Sequence, residues 1–220
     1  MFKDYTYEYE WDNEYCYPNS NILRNKLNIT NAEDLSVAER EITSLKIAVA
    51  KEISVIKGNF DLEHLQSIHN YLFCDIFEWS GKLRNVNISK GNQFCLTQNI
   101  IPYAENIFGK LKTEHYLIDY KNSVPERLVY YFSEINVVHP FCEGNGITQR
   151  LFIEYLASVA GYKVETAREM LITSAESFAC NYDLIKEMFN RITTLISKDE
   201  QKNGIKLHFE DSKEPLKRLE

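Results

Sequence analysis

His139-Pro140-Phe141-Cys142-Glu143-Gly144-Asn145-Gly146-Ile147-Thr148-Gln149-Arg150 is the stretch on which the fold turns. It separates two apolar stripes of helical period. Upstream, Leu128, Tyr131, Phe132, Ile135 and Val138 share one face, opened by Ser123-x-x-Glu126 with Pro125 in the first turn. That stripe ends at His139-Pro140, because proline disfavours helical backbone in the residue before it. Downstream, Leu151, Phe152, Tyr155, Leu156 and Val159 mark a second helix, stopped at Gly161. Helix, glycine turn, helix is the predicted arrangement.

The turn carries the chemistry. Glycines at 144 and 146 let backbone N–H groups turn inward without side-chain clashes. Such groups at a helix N-terminus, with the helix dipole, form an anion site suited to a phosphate chain. Glu143 precedes the turn, and a lone carboxylate beside phosphates is a typical Mg²⁺ ligand. Arg150 lies one turn past Gly146 and can pair with a phosphate. His139 titrates near neutral pH and can take a proton from an attacking hydroxyl. Each residue alone has a blander role: a dipole partner, a plain turn, a solvated arginine. Their order within twelve residues points to phosphoryl-type transfer, which needs little beyond positioning and charge compensation.

Outward from this stretch the pattern stays helical. A capping box, Ser36-x-x-Glu39, predicts a helix from about Ser36, with Ile42, Leu45, Val49 and Ile53 following and Gly58 ending the run. A second helix begins near Asp61 with Leu65, Ile68 and Leu72 on one face. Arg84–Thr97 instead alternates: Val86 and Ile88, the polar turn Lys90-Gly91-Asn92, then Phe94 and Leu96. That pattern predicts a short β-hairpin, the one convincing strand signal in the chain. Helical pattern resumes near Pro102 and, after Gly161, runs to about Ser197. Residues 1–30 read as irregular, and the charged stretch 201–220 as a loosely held tail.

With 44% hydrophobic and 26% charged residues, the 220-residue chain has the composition of a soluble globular protein. A net charge of −7 argues against a general nucleic-acid binder. No stretch approaches the ~18 apolar residues of a membrane span, and the acidic, aromatic start is no secretory signal. Five scattered cysteines with no C-x-x-C pair fit reduced thiols in a cytoplasm. No P-loop, dinucleotide fingerprint or H-E-x-x-H motif is present.

The central stretch resembles the Fic signature H-P-F-x-[DE]-G-N-G-R-x-x-R, matched at His139, Pro140, Phe141, Glu143, Gly144, Asn145, Gly146 and Arg150. Tyr17–Leu27 resembles the start of a Fic core, and Ile68–Arg84 its middle. Ser89-Lys90-Gly91 with Phe94 is similar to its hairpin flap. The likeness spans about residues 17–165, within a single Fic domain over 1–200. It implies an all-α helical bundle with a short β-hairpin flap over the active site. It also implies transfer of AMP from Mg-ATP to a Tyr, Ser or Thr hydroxyl of a target protein. His139 would deprotonate the hydroxyl and Glu143 would hold Mg²⁺. The Gly144, Asn145 and Gly146 amides would bind the phosphate chain, and Arg150 the γ-phosphate. The flap, with Lys90, Gly91 and Phe94, would register the target by strand-like pairing.

One position departs: Ile147 stands where the first motif arginine belongs. Loss of one charged hydrogen bond costs about 1.5–3 kcal/mol, or roughly tenfold to over a hundredfold in rate if expressed only in the transition state. A degenerate scaffold that binds nucleotide or a partner with little turnover is therefore the alternative. The inhibitory pattern [ST]-x-x-x-E-[GN] of many Fic proteins is not found. The resemblance is thus to the group, toxins among them, held in check by a separate small antitoxin protein.

Overall fold

The computed structural model describes residues 8–9, 15–53, 56–90, 92–120, 123–165 and 182–219. Helix α1 spans Ala32–Ile53 and α2 Leu62–Phe73. The hairpin strands β2 (Ile88–Lys90) and β3 (Asn92–Gln93) follow. Next come α3 (Ile100–Thr113), α4 (Val124–Val138) and α5 (Asn145–Val159). Strand β4 (Tyr162–Val164), α6 (Tyr182–Ile192), β5 (Thr193–Leu195), α7 (Lys198–His208) and α8 (Lys213–Lys217) complete the order. Strand β1 (Glu8–Tyr9) pairs antiparallel with β2, opposing Tyr9 to Ile88, so the flap is a three-stranded sheet in the order β1-β2-β3.

Helix α5 is the hub: α2, α4, α7 and β4 all pack on it. It can be, because its stripe is wide. Leu151, Phe152, Ile153, Tyr155, Leu156, Ala157 and Val159 are all buried. Phe152 meets Phe60 edge-on at 5.6 Å, and Phe132 of α4 meets Phe189 of α6 at 5.5 Å. Each fully buried side chain of this size contributes about 1.5–3 kcal/mol.

Local signals set the helix ends. Asp61 accepts from the His64 amide at 2.8 Å, as its place before the apolar stripe requires. Helix α1 starts four residues before the expected Ser36. Asn31 Oδ1 accepts from the Glu33 and Asp34 amides at 2.9 and 3.0 Å and is the true cap. Ser36 and Glu39 lie inside the helix, so the expected capping box does not form there. A capping box does form at Ser197 and Glu200.

Two further expectations change. Thr193–Leu195, expected as helix, pairs with Tyr162–Val164 as a second, two-stranded sheet. The region between them, 166–181, lies outside the described residues. The stretch 201–220, expected as a loose tail, carries most of α7 and all of α8. Gln201 Nε2 donates to the Ile118 and Val159 carbonyls at 3.1 and 2.9 Å. Ile205 and Phe209 sit in the core. The charged residues that dominate its composition simply face outward.

Candidate active site

The loop between α4 and α5 is built from its own side chains. Helix α4 ends with His139 as its cap at φ 44°, in the left-handed region rarely used by residues other than glycine. Asn145 then closes the loop. Its Oδ1 accepts from the Phe141 amide at 2.9 Å and its Nδ2 donates to the Phe141 carbonyl at 2.7 Å. Gly144 caps α5 at φ 76°, and a Cβ there would meet the Phe73 ring at 2.4 Å. Backbone and packing both demand glycine. Thr148 Oγ1 donates to the Gly144 carbonyl at 2.8 Å; as at any helix start, the first amides of α5 have no intrahelical carbonyl to bond.

His139 is 5% exposed. Its Nδ1 lies 3.2 Å from the Asn136 carbonyl, which can only accept. That partner requires a proton on Nδ1. The ring stacks on Phe94 at 3.7 Å and 15°, so the residue after β3 and the end of α4 form one face. Phe94, expected in the site, is thus placed against His139. The backbone of Lys90 lies in β2, whereas Gly91 lies outside the described residues.

The Glu143 carboxylate accepts from the Gly144 amide at 2.8 Å, so it turns back over the helix mouth. Its carbonyl accepts from His69 of α2 at 3.0 Å. His69 Nδ1 accepts from the Gly81 amide at 2.8 Å, so Nε2 must carry the proton it donates. The imidazole is stacked on Phe141 at 3.9 Å, and burial pushes its pKa down to about 4. His69 is thus a neutral peg fixing the loop. Glu39 of α1 also reaches this region. Burial, then the nearby Glu143 charge, raises its carboxyl to about 8.

Arg150 is half-buried, and its Nη1 lies 3.3 Å from where a Cβ on Gly146 would stand. The guanidinium therefore folds back over the first turn of α5. It forms no hydrogen bond or ion pair among the described residues. Glu154, whose charge acts on it, is engaged by Lys51 at 3.0 Å. Burial lowers its pKa, with Glu154 partly offsetting. Ile147 is half-buried against the hydrophobic core and brings no charge to the mouth.

Two residues were not assigned site roles from sequence, although both fall in the Ile68–Arg84 segment: His69 and Arg84. Their types gave the only signal, since a histidine on an apolar helix face is ordinarily a core residue. Glu39 was read as a cap. Among the described residues no group of three or more His, Cys, Asp or Glu could hold a metal ion. The donor set at the mouth is one hard carboxylate, which suits Mg²⁺ shared with phosphate oxygens.

Comparison with known proteins agrees with the geometry. The Fic/DOC family model matches residues 59–157. A probable protein adenylyltransferase Fic of Escherichia coli K12 is 41% identical over 152 residues, covering 68% of this chain and 74% of that protein. The protein adenylyltransferase VbhT of Bartonella schoenbuchensis is 37% identical over 195 residues, 85% of this chain but 40% of its own length. The N-terminal Fic domain of a putative cell filamentation protein from Bartonella quintana, solved with bound ADP, superposes with a TM-score of 0.75. It is 28% identical, over 84% of this chain and 96% of that one.

Proposed function

The chain belongs to the Fic/DOC family, and from that premise we propose that it transfers AMP from ATP to a Tyr, Ser or Thr hydroxyl of a target protein. One observation carries the reading: the Arg150 guanidinium bends over Gly146 at the mouth of α5 with no ion pair among the described residues. Glycine-capped amides and an unpaired guanidinium at one helix terminus form a receptor for a phosphate chain. The His139 imidazole, with its Nδ1 proton on the Asn136 carbonyl and Nε2 as the base atom, lies five residues away at the end of α4, as proton removal from an attacking hydroxyl requires.

The residues divide the work as follows. The Gly144, Asn145 and Gly146 amides bind the phosphate chain, and Arg150 neutralises its end. Glu143, whose carboxylate now accepts from the Gly144 amide, would hold Mg²⁺ beside the phosphate chain. When bound, Mg²⁺ offsets charge on the phosphate oxygens. His139 Nε2 takes the hydroxyl proton of the target, whose oxygen attacks the α-phosphorus; pyrophosphate leaves. The flap, with Lys90, Gly91 and Phe94, holds the target backbone beside His139. ADP bound to the Bartonella quintana domain supports a nucleotide at this site. We assign its control to a separate small antitoxin protein, since the sequence is similar to the group without the [ST]-x-x-x-E-[GN] pattern.

Ile147 favours a second reading, a scaffold that binds nucleotide with little turnover. Incubation with α-labelled ATP, Mg²⁺ and cell lysate separates the two. Transfer that His139→Ala abolishes supports the enzyme. No transfer, with none gained on Ile147→Arg, refutes it, and calorimetric ATP binding would then establish the scaffold.

A further inference from the structure

We propose that Arg84 is the positioning residue that locks the His139 imidazole to the hairpin flap, so that the target-docking edge and the general base move as one body. The inference rests on the reading of His139 as the base.

Arg84 is 3% exposed. It spans two structures that sequence places far apart. Toward the catalytic loop, its amide donates to the Pro140 carbonyl at 2.9 Å and its Nε to the His139 carbonyl at 2.8 Å. Its Nη2 reaches the Val138 carbonyl at 3.4 Å. Toward the flap, Nη1 donates to the Val86 carbonyl at 2.8 Å and Nη2 to the Cys95 carbonyl. Val86 and Cys95 flank the hairpin at its two ends.

No carboxylate pairs with this cation among the described residues. A buried guanidinium without a counter-ion is costly, and burial lowers its pKa. The arrangement persists because Val138 and His139 present the unpaired carbonyls of the α4 C-terminus, where the helix dipole is negative. The same contacts hold His139 in its left-handed backbone, a conformation that needs external support. Lysine would supply the charge but not the planar fork that bonds both sides at once. Two further ties connect the same parts: the Cys95 amide donates to the Val137 carbonyl at 3.0 Å, and Phe94 lies on the imidazole. Arg84 touches neither Gly144–Gly146 nor Arg150 in any hydrogen bond, so it acts on the base and not on the phosphate receptor.

The test compares the full chain with Arg84→Lys, Arg84→Met and Arg84→Gly. Displacing a base by an ångström costs on the order of a hundredfold in rate, so kcat for AMP transfer falls by about that factor in Arg84→Lys. KM for ATP stays within about threefold, as expected when only the transition state is affected. Guanidinium ion added to Arg84→Gly restores turnover. Independently of activity, hydrogen exchange rises about tenfold in residues 86–97 and 137–143 together, while α7 is unchanged. Turnover of Arg84→Lys within threefold of the parent overturns the proposal, as does exchange that is unchanged or that rises equally in α7, the sign of plain destabilisation. If the parent shows no transfer above His139→Ala, the reading of the reaction fails. The exchange data then still decide whether Arg84 joins flap and loop.

Discussion

Mild acid should loosen this protein, and the size of the effect follows from its buried histidines. His64, His69 and His208 are buried, and burial pushes each pKa from 6.5 down to about 4. The native state keeps the three rings neutral while the unfolded chain protonates them. Their stabilisation is complete above the unfolded pKa and is lost as pH falls from 6.5 through about 4. Between pH 7 and pH 5 each histidine forfeits about 2 kcal/mol, together about 5–6 kcal/mol. Glu39 works the other way. Its carboxyl is raised from 4.5 to about 8, so its contribution is complete below the unfolded value and is lost as pH rises through 8. Acidification over the same interval recovers about 2–3 kcal/mol from it. The net loss from these four groups is about 3 kcal/mol, a large share of the ~5–15 kcal/mol that holds a domain together. Urea denaturation followed by far-ultraviolet circular dichroism at a series of pH values measures it. Glu39→Gln removes the offset and should steepen the acid loss; His208→Gln should reduce the net loss by about 2 kcal/mol, more than half of it. A Glu39→Gln stability that stays flat from pH 7 to pH 5 would refute the reasoning.

Gly144→Ala should destabilise the fold by about 2 kcal/mol or more, through left-handed strain and collision with Phe73, and should weaken nucleotide binding. Thermal melting and calorimetry read the two effects, and Phe73→Leu in the same chain should recover part of the first. Arg150→Ala should weaken ATP binding by roughly tenfold or more while leaving the melting temperature close to that of the parent, since it forms no internal ion pair. Equal affinity would remove Arg150 from the phosphate site. Deleting 201–220 should expose α5 and abolish cooperative unfolding, because Gln201, Ile205 and Phe209 are buried; an unchanged calorimetric transition would restore the view of a loose tail.

The sequence made the α4–loop–α5 unit readable because its signals are local. Apolar period, Pro140, and glycines at 144 and 146 act within a few residues of one another. The two-stranded pairing of Tyr162 with Leu195 was not readable, since strands of three residues give no period and their partners lie more than thirty residues apart. Composition misled at 201–220. A polar helix needs only one apolar stripe, and Ile205 with Phe209 supplies it. Glu39 shows the same limit at the site. Ser36-x-x-Glu39 satisfies a capping pattern, but Asn31 caps earlier, and the displaced glutamate turns toward Glu143. Arg84 could not be read as a bridge, because its partners are main-chain carbonyls some ten and fifty residues distant. Backbone acceptors leave no trace in residue identity.

Strand β1 already occupies one side of β2, so among the described residues the flap's outer rim, nearest Phe94 and His139, is Asn92–Gln93. A polypeptide joining that rim meets a ladder only two residues long, made of peptide groups common to every protein. Such a gauge measures depth of insertion and is blind to the letters on either side of the hydroxyl. Discrimination among clients must then come from surfaces remote from the rim, and short peptides cut from a genuine client should be poor substitutes for the folded whole.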